Sequence, residues 1–171
     1  MNIKIEQLQA LDAVDLFQFE LENREFFEKM VPGRGDDYYN FEIFQTRHQA
    51  LLDEQAQGIS YFYLIKELEG AILGRMNLVD IDESQQQKLG HLGYRVGKSH
   101  TGKGVANKGL KLFLETMRQQ GVGQILAKTT SDNIASQKVL TKNDFKHVET
   151  SAEEFEMNGR KLKFYYYQWS N

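Results

Sequence analysis

The sequence predicts a mixed α/β fold of the α+β type, formed by one domain over residues 1–171. Three observations support this prediction. Two N-terminal segments have the periodicity of amphipathic helices, and later runs are rich in β-branched and aromatic residues. A glycine-rich stretch also joins a strand to an amphipathic helix. The resulting order, α-α-β-β-β-α-β-α-β-β, lacks the regular alternation of a doubly wound sheet.

The first two predicted elements are helices, over residues of about 10–30 and 39–57. The single proline of the chain, Pro32, lies in the loop between them. Helical spacing assigns one apolar face of the first helix to the protein core. That face comprises Leu11, Val14, Phe17, Leu21 and Phe26.

Strands are predicted next. Residues 60–81 hold two β-rich runs joined by a turn at 67–70. Near the C-terminus, Asn158-Gly159 is a dipeptide typical of tight hairpin turns. The remaining predicted elements are, in order, a strand over 91–96, a helix over 105–120, a strand over 124–130, a helix over 134–142, and strands over 145–155 and 160–169.

Composition excludes several classes of function. The net charge of −3 and the pI near 5.8 argue against broad binding of nucleic acid or anionic membranes. The absence of cysteine excludes disulfides, thiolate metal sites and cysteine nucleophiles, and no metal site is predicted. No apolar run has the length of a signal peptide or of a membrane span. We therefore expect a cytoplasmic protein.

The stretch GYRVGKSHTGKGVANKG, residues 93–109, is typical of a backbone that approaches a phosphate closely. A P-loop would need glycine at position 92, which is Leu92. A dinucleotide-binding fingerprint would need a third glycine at position 107, which is Asn107. Neither nucleotide-binding pattern fits the spacing.

What fits is a strand, a glycine turn and a helix that begins near residue 105. Backbone amides of residues 102–106 would then point outward at the positive end of the helix dipole and form an anion site. Gly102 and Gly104 leave room for the anion, while Lys98 and Lys103 add positive charge. The alternative is an ordinary glycine-rich turn before a helix.

Two segments, GYRVGKSHTGKGVANKGL and NIASQKVLTKNDF, together resemble the coenzyme A motifs of the GNAT N-acetyltransferases. They are most similar to the branch of Rim-type ribosomal-protein N-terminal acetyltransferases. This resemblance implies a mostly antiparallel, twisted sheet with one splayed parallel pair of strands, here 91–96 and 124–130, flanked by helices. It also implies acetyl-CoA as co-substrate. One departure from the pattern is Asp144, which stands where the motif has glycine before Phe145.

The resemblance assigns roles to individual residues. The amide of Val96 would polarise the thioester carbonyl. Asn133 would bind the pantetheine arm or cap the following helix. Ser136 would lie near the sulfur and protonate the departing thiolate, although a serine there can also simply bond to helix backbone. The pyrophosphate would be held by Thr101, Gly102, Lys103, Gly104, Val105 and Ala106.

The acid and the base are less well defined by the sequence. Many GNAT enzymes use a tyrosine seven residues after the motif asparagine, but that residue is Leu140 here. His91 is the titratable candidate for a base on the strand before the turn. Glu154, Glu156 and a chain of water molecules are the alternatives.

The acceptor is an amine, and we expect a protein or peptide N-terminus, such as that of a ribosomal protein. At pH 7 about 10–20% of a free α-amine is neutral, against about 0.04% of a lysine amine. An enzyme without an obvious strong base therefore has the easier task with an α-amine. Residues 33–44 either present acidic and aromatic groups to the acceptor or form a solvated loop with tyrosines on the core. The alternatives are a small-amine acetyltransferase and a non-catalytic CoA-binding module, and a homodimer is compatible with either.

Overall fold

A computed structural model of the protein describes residues 2–171. Five α-helices lie in that range: α1 (Ala13–Glu22), α2 (Arg24–Glu28), α3 (Phe41–Ala56), α4 (Val105–Gln119) and α5 (Ile134–Lys142). The strands are β1 (Ile3–Gln7), β2 (Tyr61–Glu67), β3 (Ile72–Asp82), β4 (Lys88–Val96), β5 (Val122–Thr130), β6 (Lys146–Thr150), β7 (Phe155–Met157), β8 (Arg160–Leu162) and β9 (Phe164–Ser170).

Seven strands form one sheet in the order β1-β2-β3-β4-β5-β9-β6, and β7 and β8 form a separate hairpin. Every neighbouring pair in the large sheet is antiparallel except β4 and β5, which are parallel. Helices pack on both faces of this sheet. The predicted fold class, a mostly antiparallel sheet with one parallel pair, is confirmed.

The parallel pair separates along its length. Pairing begins at Lys88 with Val122 and ends at His91 with Leu126. β4 nevertheless continues to Val96 and β5 to Thr130, so the C-terminal halves of the two strands are not paired with each other. The sheet therefore has an opening between two of its central strands.

Two hydrophobic clusters cover the two faces of the sheet. The first includes Phe113 and Met117 of α4 against Ile125 and Trp169, all fully buried. A Cβ on Gly109 would lie 2.9 Å from Cδ1 of Ile65, so glycine is needed for α4 to approach β2. The second cluster joins α1, α2 and α3 to the other face through Leu8, Leu16, Phe19, Phe27, Tyr38, Phe44, Phe62 and Leu64.

The N-terminal predictions need correction. β1 was not predicted, although Ile3 and Ile5 alternate with polar residues as a strand requires. The predicted helix over 10–30 is interrupted at Asn23, between α1 and α2. Its predicted buried face is also wrong for three residues: Leu11, Val14 and Leu21 are 77%, 63% and 43% exposed.

The C-terminal hairpin is confirmed, but its strands are shorter than predicted. Asn158 and Gly159 both have positive φ, 53° and 77°, as a tight hairpin turn requires. They connect β7 to β8, while β6 instead pairs with β9 in the large sheet. Within residues 2–171, no helix is both long and apolar enough to cross a membrane.

Candidate active site

The N–H group of Val96 points into the opening between β4 and β5. Val96 lies opposite Gly74 of β3, and the next residue, Gly97, donates its N–H to the carbonyl of Leu73 at 2.8 Å. In an antiparallel ladder, hydrogen-bonded pairs alternate with pairs that are not hydrogen-bonded. Because Gly97 and Leu73 are bonded, the neighbouring pair of Val96 and Gly74 is not, and the Val96 amide faces away from β3. It faces β5, at a level where pairing has ended.

The glycine turn leads directly from this opening to the N-terminus of α4. Gly102 and Gly104 adopt left-handed conformations, with φ of 73° and 78°. A Cβ at either position would meet no atom within 4 Å, so open space lies over the backbone. The first amides of an α-helix have no carbonyl partner within the helix. The turn therefore has the geometry of an anion site.

The predicted pyrophosphate-binding residues differ in exposure. Thr101, Gly102, Lys103 and Gly104 are exposed, Ala106 is half-buried and Val105 is buried. The Val105 side chain belongs to the core, while its backbone amide is the first N–H group of α4. The Thr101 hydroxyl donates to the carbonyl of Lys98 at 2.9 Å and shapes the turn.

The start of the turn is held by α1. Asn23, which caps α1, accepts a hydrogen bond from the Lys98 amide at 2.9 Å. A Cβ on Gly97 would lie 3.0 Å from the ring of Phe19, so the chain passes close to this helix. The break of the predicted long helix at Asn23 therefore serves to fix the turn.

On the other side of the opening, α5 brings Ser136 to β4. The Tyr94 hydroxyl and the Ser136 hydroxyl are 2.9 Å apart. Asn133 caps α5, because its side-chain oxygen accepts the Ser136 amide at 3.1 Å. Burial raises the pKa of Tyr94, so its hydroxyl stays protonated at neutral pH. Sequence reasoning missed Tyr94, which is 42 residues from Ser136.

The end of α5 is fixed to α4. The Asn143 side chain donates to Oδ1 of Asn107 at 2.8 Å. The amides of Asp144 and Phe145 bond back to Thr141 and Leu140, as in a Schellman motif. Asp144 has φ of 66°, so it adopts the conformation for which the motif glycine is suited. The replacement of glycine by Asp144 thus leaves the turn intact.

The structure does not bring His91 to these residues. His91 is exposed, and it pairs with Leu126 in the last pair of β4 and β5 before the two strands separate. It lies five residues before Val96, about 16 Å along a strand that rises about 3.3 Å per residue. Glu154 and Glu156 are also exposed, near the β7–β8 hairpin.

The opposite face of β4 carries a buried ionic cluster that sequence reasoning missed. Oε1 of Glu20 contacts Arg75 at 2.5 Å, Arg95 at 3.5 Å and Arg34 at 4.0 Å. Its Oε2 has no partner among residues 2–171. Burial alone would lower the pKa of Arg75, but Glu20 and Tyr38 raise it, and the net shift is upward.

The loop before α3 contributes to this face. Tyr38 is buried beside Glu20, with its hydroxyl 3.4 Å from Oε1, and burial raises its pKa. Asp36 forms an ion pair with Arg24 and points outward. These positions agree with the second interpretation of residues 33–44, in which the tyrosines pack on the core.

Comparison with known proteins identifies acetyltransferases as relatives of this chain. The sequence pattern of the "Acetyltransferase (GNAT) domain" family matches residues 2–146. The chain is 26% identical over 162 residues to "Probable N-acetyltransferase YjcK" of Bacillus subtilis. The aligned residues cover 92% of this chain and 88% of that protein.

Two solved structures share the fold over almost the whole chain. The first is the ribosomal-protein-S5-alanine acetyltransferase of Vibrio fischeri, with a TM-score of 0.90, 20% identity, and coverage of 100% of this chain and 94% of that one. The second is RimJ of Mycobacterium smegmatis in complex with CoA-disulfide, with a TM-score of 0.85, 19% identity, and coverage of 98% and 81%. The family match and the shared fold lead to one conclusion: the chain belongs to the GNAT family of acetyltransferases, which use acetyl-CoA.

Proposed function

We propose that this protein transfers an acetyl group from acetyl-CoA to the α-amine of a protein or peptide N-terminus, as ribosomal-protein acetyltransferases do. The observation that carries the proposal is the opening between β4 and β5. It places the Val96 amide at its edge and the Tyr94–Ser136 hydroxyl pair beside it. We further propose that residues 1–171 act as one catalytic domain in the cytoplasm.

The turn before α4 is suited to the pyrophosphate of the co-substrate. We assign this role to Thr101, Gly102, Lys103, Gly104, Val105 and Ala106, with backbone amides as the main donors. Open space over Gly102 and Gly104 is consistent with a ligand at this position. Asn133 uses its side-chain oxygen to cap α5, which leaves its amide nitrogen for the pantetheine arm.

Acetyl-CoA supplies the acetyl group as a thioester. In our mechanism the Val96 N–H donates to the thioester oxygen and stabilises the negative charge that develops there. The acceptor amine forms the new C–N bond, and the C–S bond breaks. Ser136 gives its proton to the departing sulfur, the Tyr94 hydroxyl at 2.9 Å replaces that proton, and a proton from water then restores Tyr94.

The proton of the acceptor amine goes to water in this mechanism. His91 was the sequence candidate for a base, but its position about 16 Å along β4 from Val96 favours water. Water is a weak base, so the enzyme depends on the fraction of acceptor that is already neutral. This dependence favours an α-amine, with a pKa of about 7.7–8.0, over a lysine amine of about 10.4.

The acceptor class has one further support. Structures with the same fold include an enzyme named for a ribosomal-protein acceptor. A homodimer is also part of the proposal, and light scattering of the purified protein would test it. A mass of one chain at micromolar concentration would contradict the dimer.

The test of the proposed function is thiol release from acetyl-CoA with a panel of acceptors. The panel contains peptides with free N-termini, peptides with a blocked N-terminus and free lysines, and small amines. We expect release with the free N-terminal peptides. Release with small amines alone would show a small-amine acetyltransferase instead, and release with none would contradict acetyl transfer to these acceptors.

A further inference from the structure

A small cavity lies on the face of the sheet that carries the Glu20 cluster. It has a volume of about 160 Å³ and lies between α3, the loop before α3 and strand β3. We call it the arginine cavity, and its walls are Arg34, Tyr38, Phe44, Arg47, His48, Leu51 and Arg75.

The lining of the arginine cavity carries an excess of positive charge. Three guanidinium groups line it, and one carboxylate, Glu20, is in contact with Arg75 and Arg34. That carboxylate is already shared with a further arginine, Arg95. The nearby Asp36 is paired with Arg24 and has a 93% exposed side chain, so it does not neutralise the cavity.

His48 adds an unused polar atom to the same wall. Its side chain is buried, and its Nε2–H donates to the carbonyl of Gln9 at 2.9 Å. Its Nδ1 is buried and has no hydrogen-bond partner among residues 2–171. Buried polar atoms are nearly always hydrogen-bonded in folded proteins. Because Nε2 carries the proton, Nδ1 is an acceptor, so its partner would be an N–H group of a bound peptide and not the carboxylate of that peptide.

The cavity is next to the opening in the sheet. Arg75, at its floor, lies directly opposite Arg95, which precedes Val96. Residues paired in this way have Cα atoms about 5.5 Å apart. A group bound by Arg75 on β3 is therefore one strand away from β4, whose Val96 N–H we assign to the thioester oxygen.

We propose that the arginine cavity binds a carboxylate of the acceptor, specifically an acidic side chain close to its N-terminal amine. Guanidinium groups bind carboxylates through two parallel hydrogen bonds. The methylene groups of an acidic side chain match the apolar wall formed by Phe44 and Leu51. This inference rests on the proposed function and adds the charge of the acceptor to it.

The test compares two peptides with free N-termini that differ only in glutamate or glutamine at their second residue. We expect the wild-type kcat/KM to be at least 10-fold higher for the glutamate peptide. Arg47→Gln should reduce that ratio to below 3-fold, and Arg47→Glu should reverse it in favour of a lysine-bearing peptide. Arg47 is exposed, so both variants should fold, and thermal unfolding checks this.

Arg118→Gln is the matched control. Arg118 lies over the ring of Trp169 at 5.2 Å, as Arg47 lies over Tyr38 at 5.6 Å, but it belongs to α4. The control removes the same charge and a similar ring contact, and the peptide preference should persist. Equal loss of preference in both variants would overturn the assignment to the cavity.

A binding measurement separates failure of this inference from failure of the proposed function. Calorimetry with the N-acetylated glutamate and glutamine peptides needs no catalysis. Tighter binding of the glutamate peptide supports the cavity even if no transfer occurs, and equal binding overturns it. A preference for free glutamate over free glutamine, with none between the peptides, would overturn the peptide source and assign the carboxylate to a small acceptor.

Discussion

Neighbouring residues of β4 lie in two different chemical environments. Tyr94 faces α5, and its hydroxyl shares a hydrogen bond with the uncharged hydroxyl of Ser136. Arg95 faces α1 and α2, where it contacts Glu20 and lies 4.6 Å from the ring of Phe27. Successive residues of a strand point to opposite faces, so one strand supplies both environments.

The difference indicates that the Tyr94 face and the Arg95 face of β4 have different chemical roles. A pair of hydroxyl groups can pass a proton to a departing thiolate without placing a fixed charge beside it. A cluster of arginines cannot do this, but it can orient an anionic partner. We infer that the Tyr94 side handles the acetyl donor and that the Arg95 side handles the acceptor.

Removal of the Ser136 hydroxyl should have the largest effect. We expect Ser136→Ala to lower kcat by about 100-fold, the usual size of a lost general acid, with little change in CoA affinity. Stopped-flow and steady-state assays would measure this. Thr141→Ala removes a hydroxyl from the same helix, where it donates to the carbonyl of Gln137 at 2.8 Å, and should retain activity. Unchanged turnover in Ser136→Ala would remove our proposed acid.

A side chain at the glycine turn should weaken donor binding next. Gly104→Val forces a branched residue into a left-handed conformation and places atoms where the pyrophosphate would lie. We expect CoA affinity to fall by at least about 10-fold, or 1.4 kcal/mol, in calorimetry. Gly121→Val is the control, because Gly121 has φ of 80° and ends α4 away from the turn. If both variants lose affinity equally, strain alone explains the loss.

Substitution of His91 should have a small effect. Because His91 is exposed and distant from Val96, we expect His91→Gln to change kcat/KM by less than about 3-fold. The pH profile should rise with deprotonation of the acceptor α-amine, whose pKa is about 7.7–8.0, and level off above about pH 9 in both proteins. The raised pKa of Tyr94 keeps its hydroxyl, which returns the proton to Ser136, protonated over this range. Loss of the rising limb in His91→Gln would restore His91 as the base.

The smallest effect concerns the turn after α5. Asp144 adopts a left-handed conformation that costs less for glycine, so Asp144→Gly should stabilise the protein by about 0.5–1 kcal/mol. Thermal or urea unfolding would measure it. Asp53→Gly, within α3, should instead destabilise by about 0.3 kcal/mol, the difference in helix propensity between the two residues. A destabilised Asp144→Gly would mean that the carboxylate itself supports the turn.

Local patterns in the sequence predicted the elements around the opening between β4 and β5 well. The periodicity of α4, the glycine turn and the capping residue Asn133 are all encoded within a few neighbouring positions. The same local rules fix their structure, because helix caps and turns depend on nearby backbone groups. The likeness to GNAT motifs then placed these pieces around one opening.

The acceptor side was not predictable in this way. Glu20 and Arg75 are 55 residues apart, and no spacing in the sequence indicates that they meet. Their burial also explains the wrong face of α1, since Glu20 is buried there while Val14 and Leu21 are exposed. A buried charge pair reverses the usual hydrophobic pattern, so periodicity alone assigns the wrong residues to the core.

The division of β4 into a donor side and an acceptor side can be measured directly by hydrogen exchange. The ligand is a peptide whose α-amine is joined to the sulfur of CoA through an acetyl bridge, and CoA alone is the reference. We expect CoA to slow exchange in residues 97–108 and at the start of α5, and the conjugate to slow exchange in residues 34–51 as well. Protection by the conjugate that does not extend beyond that of CoA, or that extends to β6 and not to residues 34–51, would contradict the account.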